Sequence, residues 1–381
     1  MSPDVDVLVV GGGLAGCAVA TILARSGRDV RLLERGSFPR DKLCGEFLSA
    51  ESQDVLRKMD VFRRIESVRP PRIGRARFIG PSGRTVHIQL PEPAFGISRK
   101  RLDAELFEAA TAAGADAHVR AEVTEIHRID GGHEVEVRGQ SGAKTQIRAR
   151  TVVCAHGRRG RPDHALSRAF LTQGHPHIGL KRHHRPTNDA RGAALSEALA
   201  DHVEIYPFEG GYCGMSFVET GEVNVCLLAH ERVLRAANRG WDAVVSAIAD
   251  QHRPLAERLS ALTPTDAQAL AVAAVPFTPK TRLENGVFFV GDAAGMIAPL
   301  AGDGQAMALE SGCRLGALLL EGREAAAMLW DKRWRRAYGV RMALAGGLQK
   351  LLLQSRSAEW ALWGVGAVPG LPNLLGRLTR G

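Results

Sequence analysis

DVDVLVVGGGLAGCAVATILAR, residues 4–25, governs how the rest of this 381-residue chain is read. Asp4 to Val10 is a β-branched apolar run, which predicts a strand buried on both faces. Leu14 to Arg25 carries its apolar residues at helical spacing, and only a glycine turn separates the two. Gly27 ends the helix, Asp29 to Leu33 predicts a second strand, and Glu34 closes it, so the first 34 residues spell one complete βαβ unit. Gly11, Gly13 and Gly16 fall on the G-x-G-x-x-G spacing. Gly11 permits the tight turn, Gly13 lets backbone approach a pyrophosphate, and Gly16 allows close helix packing. Leu14 and Ala15 open the helix whose N-terminus favours negative charge. Glu34, 18 residues beyond Gly16, is placed to accept hydrogen bonds from a ribose, with Arg35 beside it.

Composition narrows the partners. Hydrophobic residues make up 45% and charged residues 24%, values that give a foldable chain with a large core. The formal charge of +9 is scattered, with no basic stripe interleaved with aromatics, which excludes nucleic acid as a partner and leaves cofactor phosphates, an anionic substrate or a membrane surface. Six cysteines form no C-x-x-C pair and no cluster at zinc spacing, so reduced thiols and no metal are expected. The N-terminus has neither the basic nor the long apolar region of a signal peptide, which predicts a cytoplasmic protein. No apolar run is long enough for a membrane span. Trp360 to Leu378 is apolar but broken by Gly364, Gly366, Pro369, Gly370 and Pro372, and predicts a packed or surface-lying segment with peripheral membrane contact at most.

Downstream, a polar loop (35–46) leads to a helix from Ser49 to Met59, and Ile73 to Leu90 alternates as strands around Pro81-Ser82-Gly83. A helix is predicted over Lys100 to Ala113, then strands from Asp116 to Cys154 with a hairpin at Gly131-Gly132. Ile178 to Leu228 predicts a second, antiparallel sheet, Arg232 to Leu262 predicts helices, and Val287 to Val290 predicts a buried strand returning to the first domain. Everything after Gly304 reads as helical.

That returning strand runs into Gly291-Asp292-Ala293-Ala294-Gly295 and then Pro299-Leu300-Ala301-Gly302-Asp303-Gly304. This pairing with the N-terminal turn resembles the flavoprotein monooxygenase superfamily of para-hydroxybenzoate-hydroxylase-type fold, and within it the geranylgeranyl reductase-like flavoproteins. The resemblance implies a mixed α/β (α+β) fold, with a Rossmann-type FAD-binding domain (1–72, 97–175, 275–320) interleaved with an antiparallel-sheet substrate domain (73–96, 176–274) and a helical C-terminus (321–381). It implies FAD as cofactor and NAD(P)H as a transient electron donor. Asp292, after Gly291, takes the flavin ribityl chain; Pro299, Gly302 and Gly304 lie by the isoalloxazine; Gln305 and Ala306 supply helix N-terminal N–H groups there. Gly96-Ile97-Ser98-Arg99 resembles the segment in which an Arg before a helix touches the flavin or its phosphates, a role that falls on Arg99. Arg40-Asp41-Lys42-Leu43-Cys44-Gly45-Glu46 resembles the P-x-x-x-x-C-G loop of the reductase-like branch, which runs past the flavin and implies that Arg40 and Lys42 meet a phosphate or a nicotinamide cofactor there. Val123 and Gly157 complete the cofactor set.

The resemblance departs in places. The strand end Cys154-Ala155-His156-Gly157 has the glycine of the hydroxylases' Asp-Gly motif but not its acid, which puts the usual NAD(P)H docking in doubt. The five tryptophans match no halogenase motif, and Gly211 to Phe217 matches the reductases' aromatic strand only in part. Two reactions are implied: monooxygenation, hydroxylating or epoxidising a bulky, hydrophobic secondary-metabolite or lipid-like substrate through a flavin C4a-hydroperoxide, or saturation of a C=C bond in an isoprenoid- or polyketide-like substrate. Monooxygenation is the leading expectation. Cys44, Tyr206 and Tyr212 are the candidate catalytic side chains, with His156 as a further candidate.

Overall fold

The computed structural model describes residues 3–236 and 240–353; the apolar stretch from Trp360 to Leu378 lies outside the described residues. The chain opens β1 (Val5–Val10), α1 (Leu14–Arg25), β2 (Val30–Glu34), β3 (Phe47–Leu48), α2 (Glu51–Lys58), α3 (Phe62–Ser67), β4 (Arg72–Ile79), β5 (Thr85–Gly96) and α4 (Arg99–Ala112). Next come β6 (Asp116–Val119), β7 (Glu122–Ile129), β8 (Gly132–Arg138), β9 (Lys144–Cys154) and α5 (Arg161–Ala165). The middle holds β10 (His177–Pro186), α6 (Ala190–Leu199), β11 (His202–Phe208), β12 (Gly211–Phe217), β13 (Val223–His230), α7 (Glu231–Ala236), α8 (Trp241–Ala249) and α9 (Arg253–Leu259). It closes with β14 (Leu262–Pro264), β15 (Leu270–Val272), β16 (Leu283–Glu284), β17 (Val287–Phe289), α10 (Gly304–Leu320) and α11 (Arg323–Leu352).

Two sheets organise these elements. In the first the order is β16-β17-β9-β1-β2-β6, with β7 and β8 folded onto β9. β1 pairs in parallel with both β2 (Val7 opposite Val30) and β9 (Val7 opposite Thr151), which buries it centrally. Its near-continuous apolar composition goes with burial on both faces. α1 and α10 approach closely because Gly312 lies against α1: a Cβ there would come 2.4 Å from the Ala15 carbonyl oxygen. α11 closes the sheet's far edge with Trp330 and Trp334 buried, and the Trp330 indole donates to the Phe289 carbonyl at 3.0 Å.

In the second sheet the order is β14-β10-β13-β12-β11-β4-β5-β3, with β15 on β10. This sheet is not wholly antiparallel as predicted. β4 and β11 pair in parallel, His202 opposite Arg75. The reason is topological: the β4–β5 hairpin is contributed by a distant stretch of chain, and no short turn constrains its direction against β11. α6 also falls within the stretch, Ile178 to Leu228, that predicts only sheet. Only Leu195 and Leu199, one turn apart, supply its fully buried large side chains, too few for an apolar period to show, and Asp189 caps it by accepting from the Arg191 and Gly192 amides.

Candidate functional site

A cavity of about 930 Å³ lies between the two sheets and is lined by both. Gly11, Gly13, Leu14 and Ala15 of the first turn, with Glu34 and Arg35 at the end of β2, form one end. The 40–45 loop contributes Arg40, Cys44 and Gly45; Arg99, Val123 and Gly157 stand on the flanks. Gly291 and Asp292 after β17, then Pro299, Gly302, Gly304 and Gln305 at the start of α10, complete the wall. Gly16 and Ala306 do not line it. Gly16 acts beneath the surface, since a Cβ there would sit 1.8 Å from the Gly11 carbonyl oxygen.

The donor set suits a long anionic cofactor. Gly13 precedes α1 and Asp303 precedes α10, and neither helix has a side-chain cap or an acidic residue in its first turn. Helix N-termini in that state leave backbone N–H groups free for negative charge. A Cβ on Gly13 would meet only the Lys42 Nζ, at 3.5 Å, so the turn leaves room at the point where a pyrophosphate would lie. Glu34 accepts from the Gly12 amide at 3.0 Å and from the Gly36 amide at 2.8 Å, and pairs with Arg40 at 2.6 Å. It therefore fixes the glycine turn and the 40–46 loop together, with acceptor capacity remaining on its two oxygens.

Arg99 grips Asp103 through two bonds of 2.7 and 2.9 Å, and Lys42 pairs with the same carboxylate. Burial alone would raise Asp103, but the Arg99 charge, followed by that of Lys42, holds it low. Two cations on one carboxylate leave net positive charge at the cavity wall. Asp292 is half-buried, and burial pushes its carboxyl up while Lys280 and Arg158 oppose the rise. Gln305 donates to the Cys44 sulfur at 3.2 Å, tying α10 to the 40–46 loop, and its own carbonyl oxygen has no partner among the described residues.

Two sets of residues went unread. Glu46, fully buried with φ +55°, accepts from the Arg99 amide at 2.8 Å, from Lys181 at 2.5 Å and from His183 at 2.7 Å, so it locks the loop to α4 and β10. Burial depresses His183, but the hydrogen bond and charge of Glu46 win and raise it. Asp41, Glu46 and His183 bring possible metal-ligand atoms within 4.8 Å of one another, yet the buried Lys181 ammonium already compensates Glu46. Lys181 and His183 lie more than 130 residues from Glu46 in sequence, and no spacing could announce them.

The second set stands where the acid of the Asp-Gly motif is missing. A carboxylate reaches that place from α5: Asp163 binds the His156 Nε2 at 2.9 Å, the Gly160 amide at 2.8 Å and Arg168 at 2.8 Å. Burial would raise Asp163, but His156 first, and Arg168 after it, hold it down at about 2. Arg168 also donates to the Ala293 carbonyl at 2.9 Å, and Lys280 to the Arg158 and Asp292 carbonyls at 2.6 and 2.8 Å. The turn after β9 is thus clamped to the turn that carries Asp292. Burial lowers Lys280 to about 8.

The cavity continues over the second sheet, where Ala76, Phe78, Ile88, Val203 and Ile205, with Leu348 of α11, give it an apolar wall. Tyr212 faces this space, and burial pushes its phenol well above the usual range. Tyr206 does not, which corrects its candidacy. Side chains alternate along β11, so Val203 and Ile205 face the cavity while Glu204 and Tyr206 face the opposite core. There the Tyr206 hydroxyl donates to Glu204, which Arg258 holds at 3.1 Å.

A family model described as an FAD binding domain matches residues 4–331. A menaquinone reductase of Mycobacterium tuberculosis is 29% identical over 373 residues, covering 91% of this chain and 84% of its own. A digeranylgeranylglycerophospholipid reductase of Methanopyrus kandleri is 27% identical, covering 93% and 88%. A solved flavoprotein/dehydrogenase from Cytophaga hutchinsonii superposes with a TM-score of 0.80 at 17% identity, over 98% of this chain and 92% of its own, which bears on the fold alone.

Proposed function

The chain belongs to the FAD binding domain family and is an FAD-dependent oxidoreductase, and from that premise we propose that it saturates C=C bonds of an isoprenoid-like, lipid-soluble substrate. The observation that carries this reading is the continuity of the cavity. One space joins the uncapped helix N-termini and charged groups of the first sheet to the apolar wall of the second. Two relatives matched over most of their length are reductases by name, one acting on a quinone and one on a geranylgeranyl lipid. Oxygen transfer to a similar substrate, the leading expectation from sequence, would use the same space.

The residues fit the cofactor's parts. The α1 N-terminus with Gly13 would take the pyrophosphate, Glu34 the adenosine ribose, Asp292 the ribityl chain, and the α10 N-terminus the electron-rich edge of the isoalloxazine. Bound FAD, once reduced by its electron donor, would supply the hydride that C=C saturation needs. Arg99 and Lys42, held on Asp103, place positive charge beside the cofactor's phosphates. The apolar side chains of β4, β5 and β11 hold a hydrocarbon and exclude water from it. Tyr212, neutral because it is buried, and Cys44 are the protic groups facing the substrate, and either can deliver the proton the second carbon takes up. The chain has one dinucleotide fingerprint, so the electron donor, NAD(P)H in this reading, visits the same cavity.

The test is multiple turnover under strict anaerobiosis with NADPH and a prenylated quinone or lipid, analysed by mass spectrometry. A product heavier by two hydrogens, formed as fast without oxygen as with it, is expected. A product that has gained an oxygen atom, and forms only in air, would sink the reading.

A further inference from the structure

α11 has two opposite faces of different character. Trp330, Trp334, Tyr338, Ala345, Gln349 and Leu352 form its buried stripe. On the other side, at successive spacings of three and four, stand Arg333, Arg336, Val340, Leu344, Gly347 and Leu351, all exposed. The composition of this outer stripe changes along the helix. Its first half is basic, with Lys332 and Arg335 flanking; its second half is apolar, with Lys350 beside it.

The apolar half is unusual for a water-facing surface. Val340 is 73%, Leu344 42% and Leu351 44% exposed. Leu344 and Leu351 also line the cavity, so their side chains touch both the solvent and the internal space, and this end of α11 is a mouth of the cavity. From Val340 to Leu351 the strip runs about 16 Å along the axis, enough to bury in the boundary between head groups and acyl chains but not to span. Among the described residues, no helix is long and apolar enough to cross a membrane.

We infer that this face of α11 docks on an anionic lipid bilayer, with Val340, Leu344 and Leu351 in the acyl boundary and Lys332, Arg333 and Arg336 over the head groups. The inference rests on the lipid-soluble substrate of the preceding section, and it says where that substrate enters. The charge selects the occupant. Arg333 and Arg335 have carboxylate partners in Glu321 and Asp331, whereas Lys332 and Arg336 have none among the described residues and remain free for lipid phosphates. A second copy of the chain would set this basic segment against its own image, and like charges across an interface oppose association.

The experiment is co-sedimentation of the full-length, FAD-loaded protein with vesicles of phosphatidylcholine alone or mixed with phosphatidylglycerol. Binding to the mixed vesicles, weakened by added salt, is expected. Val340→Asp, which alters no cavity-lining residue, lowers partitioning by at least about tenfold through the lost apolar anchor. Lys332→Glu with Arg336→Glu lowers it on the mixed vesicles by a similar factor and has little effect on phosphatidylcholine. Retained flavin absorbance shows that both variants fold. The inference fails if the protein ignores both vesicles, if Val340→Asp binds like the parent, which would put the contact in another part of the chain, or if the parent is a dimer that Val340→Asp splits. No substrate or reductant is present, so such a failure leaves the reductase reading standing.

Discussion

Gly13 and Gly16 lie three residues apart and should fail in different ways when enlarged. Gly13 has space around its Cβ position, so Gly13→Val is expected to fold with little change in melting temperature and to lose bound FAD, seen as loss of visible absorbance. Gly16→Ala instead drives a methyl into the Gly11 carbonyl and should cost about 3 kcal/mol of stability in denaturant titration, flavin or no flavin. Equal flavin retention in both variants would contradict this division. Asp163 makes a third residue-scale case. Its folded value of about 2 lies below its ordinary one, so the stability it contributes is present above about pH 4 and is lost as pH falls toward 2. Asp163→Asn, which leaves the buried Arg168 with Glu284, at 3.3 Å, as its remaining carboxylate, should cost about 2 kcal/mol at pH 7 and progressively less between pH 4 and 3; a gap that stays constant with pH would refute the assignment. The glycines and Glu34 were legible because the whole turn sits within one βαβ unit, whereas Asp163 became meaningful only when α5 brought it against His156.

At the scale of elements, the 40–46 loop owes its position to the bonds that its last residue, Glu46, makes to α4 and β10. Glu46→Gln weakens the attachment to both α4 and β10 and leaves the Lys181 ammonium only the more distant Asp41 carboxylate, at 3.8 Å; the expected result is a loss of about 3 kcal/mol and a faster release of FAD, read by flavin fluorescence on dilution. His183 adds a pH signature. Its folded pKa is raised, so its contribution is full below its ordinary value and fades as pH rises through the raised one. The stability difference between the parent and His183→Gln should therefore shrink on going from neutral to alkaline pH in paired thermal melts. Strand existence was legible from alternation, but facing was not: Tyr206 and Tyr212 both looked available, and only the register Pro207 opposite Tyr212 shows that the two hydroxyls leave the sheet on opposite sides. Glu204, two residues before Tyr206 on the same face, is the sequence clue to a charged network there instead of a substrate wall. The parallel join of β4 to β11 had no local signal at all, because it pairs segments about 125 residues apart.

For the whole molecule, a cofactor lodged between two sheets should act as a tie between them. FAD at a hundredfold excess over its Kd is expected to raise stability by about 2.7 kcal/mol, observed as one cooperative transition moving to higher temperature and not as a shift of one phase out of two. Two separate transitions, only one of them sensitive to FAD, would show that the sheets melt independently. The fold class and the cofactor were legible from two short turns at opposite ends of the sequence; the cavity mouth on α11 was not, since it is made by a helix whose outer face means nothing until the inner face has been docked. The interleaving has a further consequence during synthesis. The second sheet waits for β11 to β13 to complete what β4 and β5 begin, and the first waits for β17 near residue 289. A ribosome has therefore emitted about 230 residues before β13 joins the second sheet and about 290 before β17 joins the first, and the apolar edges of both halves stay open to chaperones, or to neighbouring nascent chains, until then.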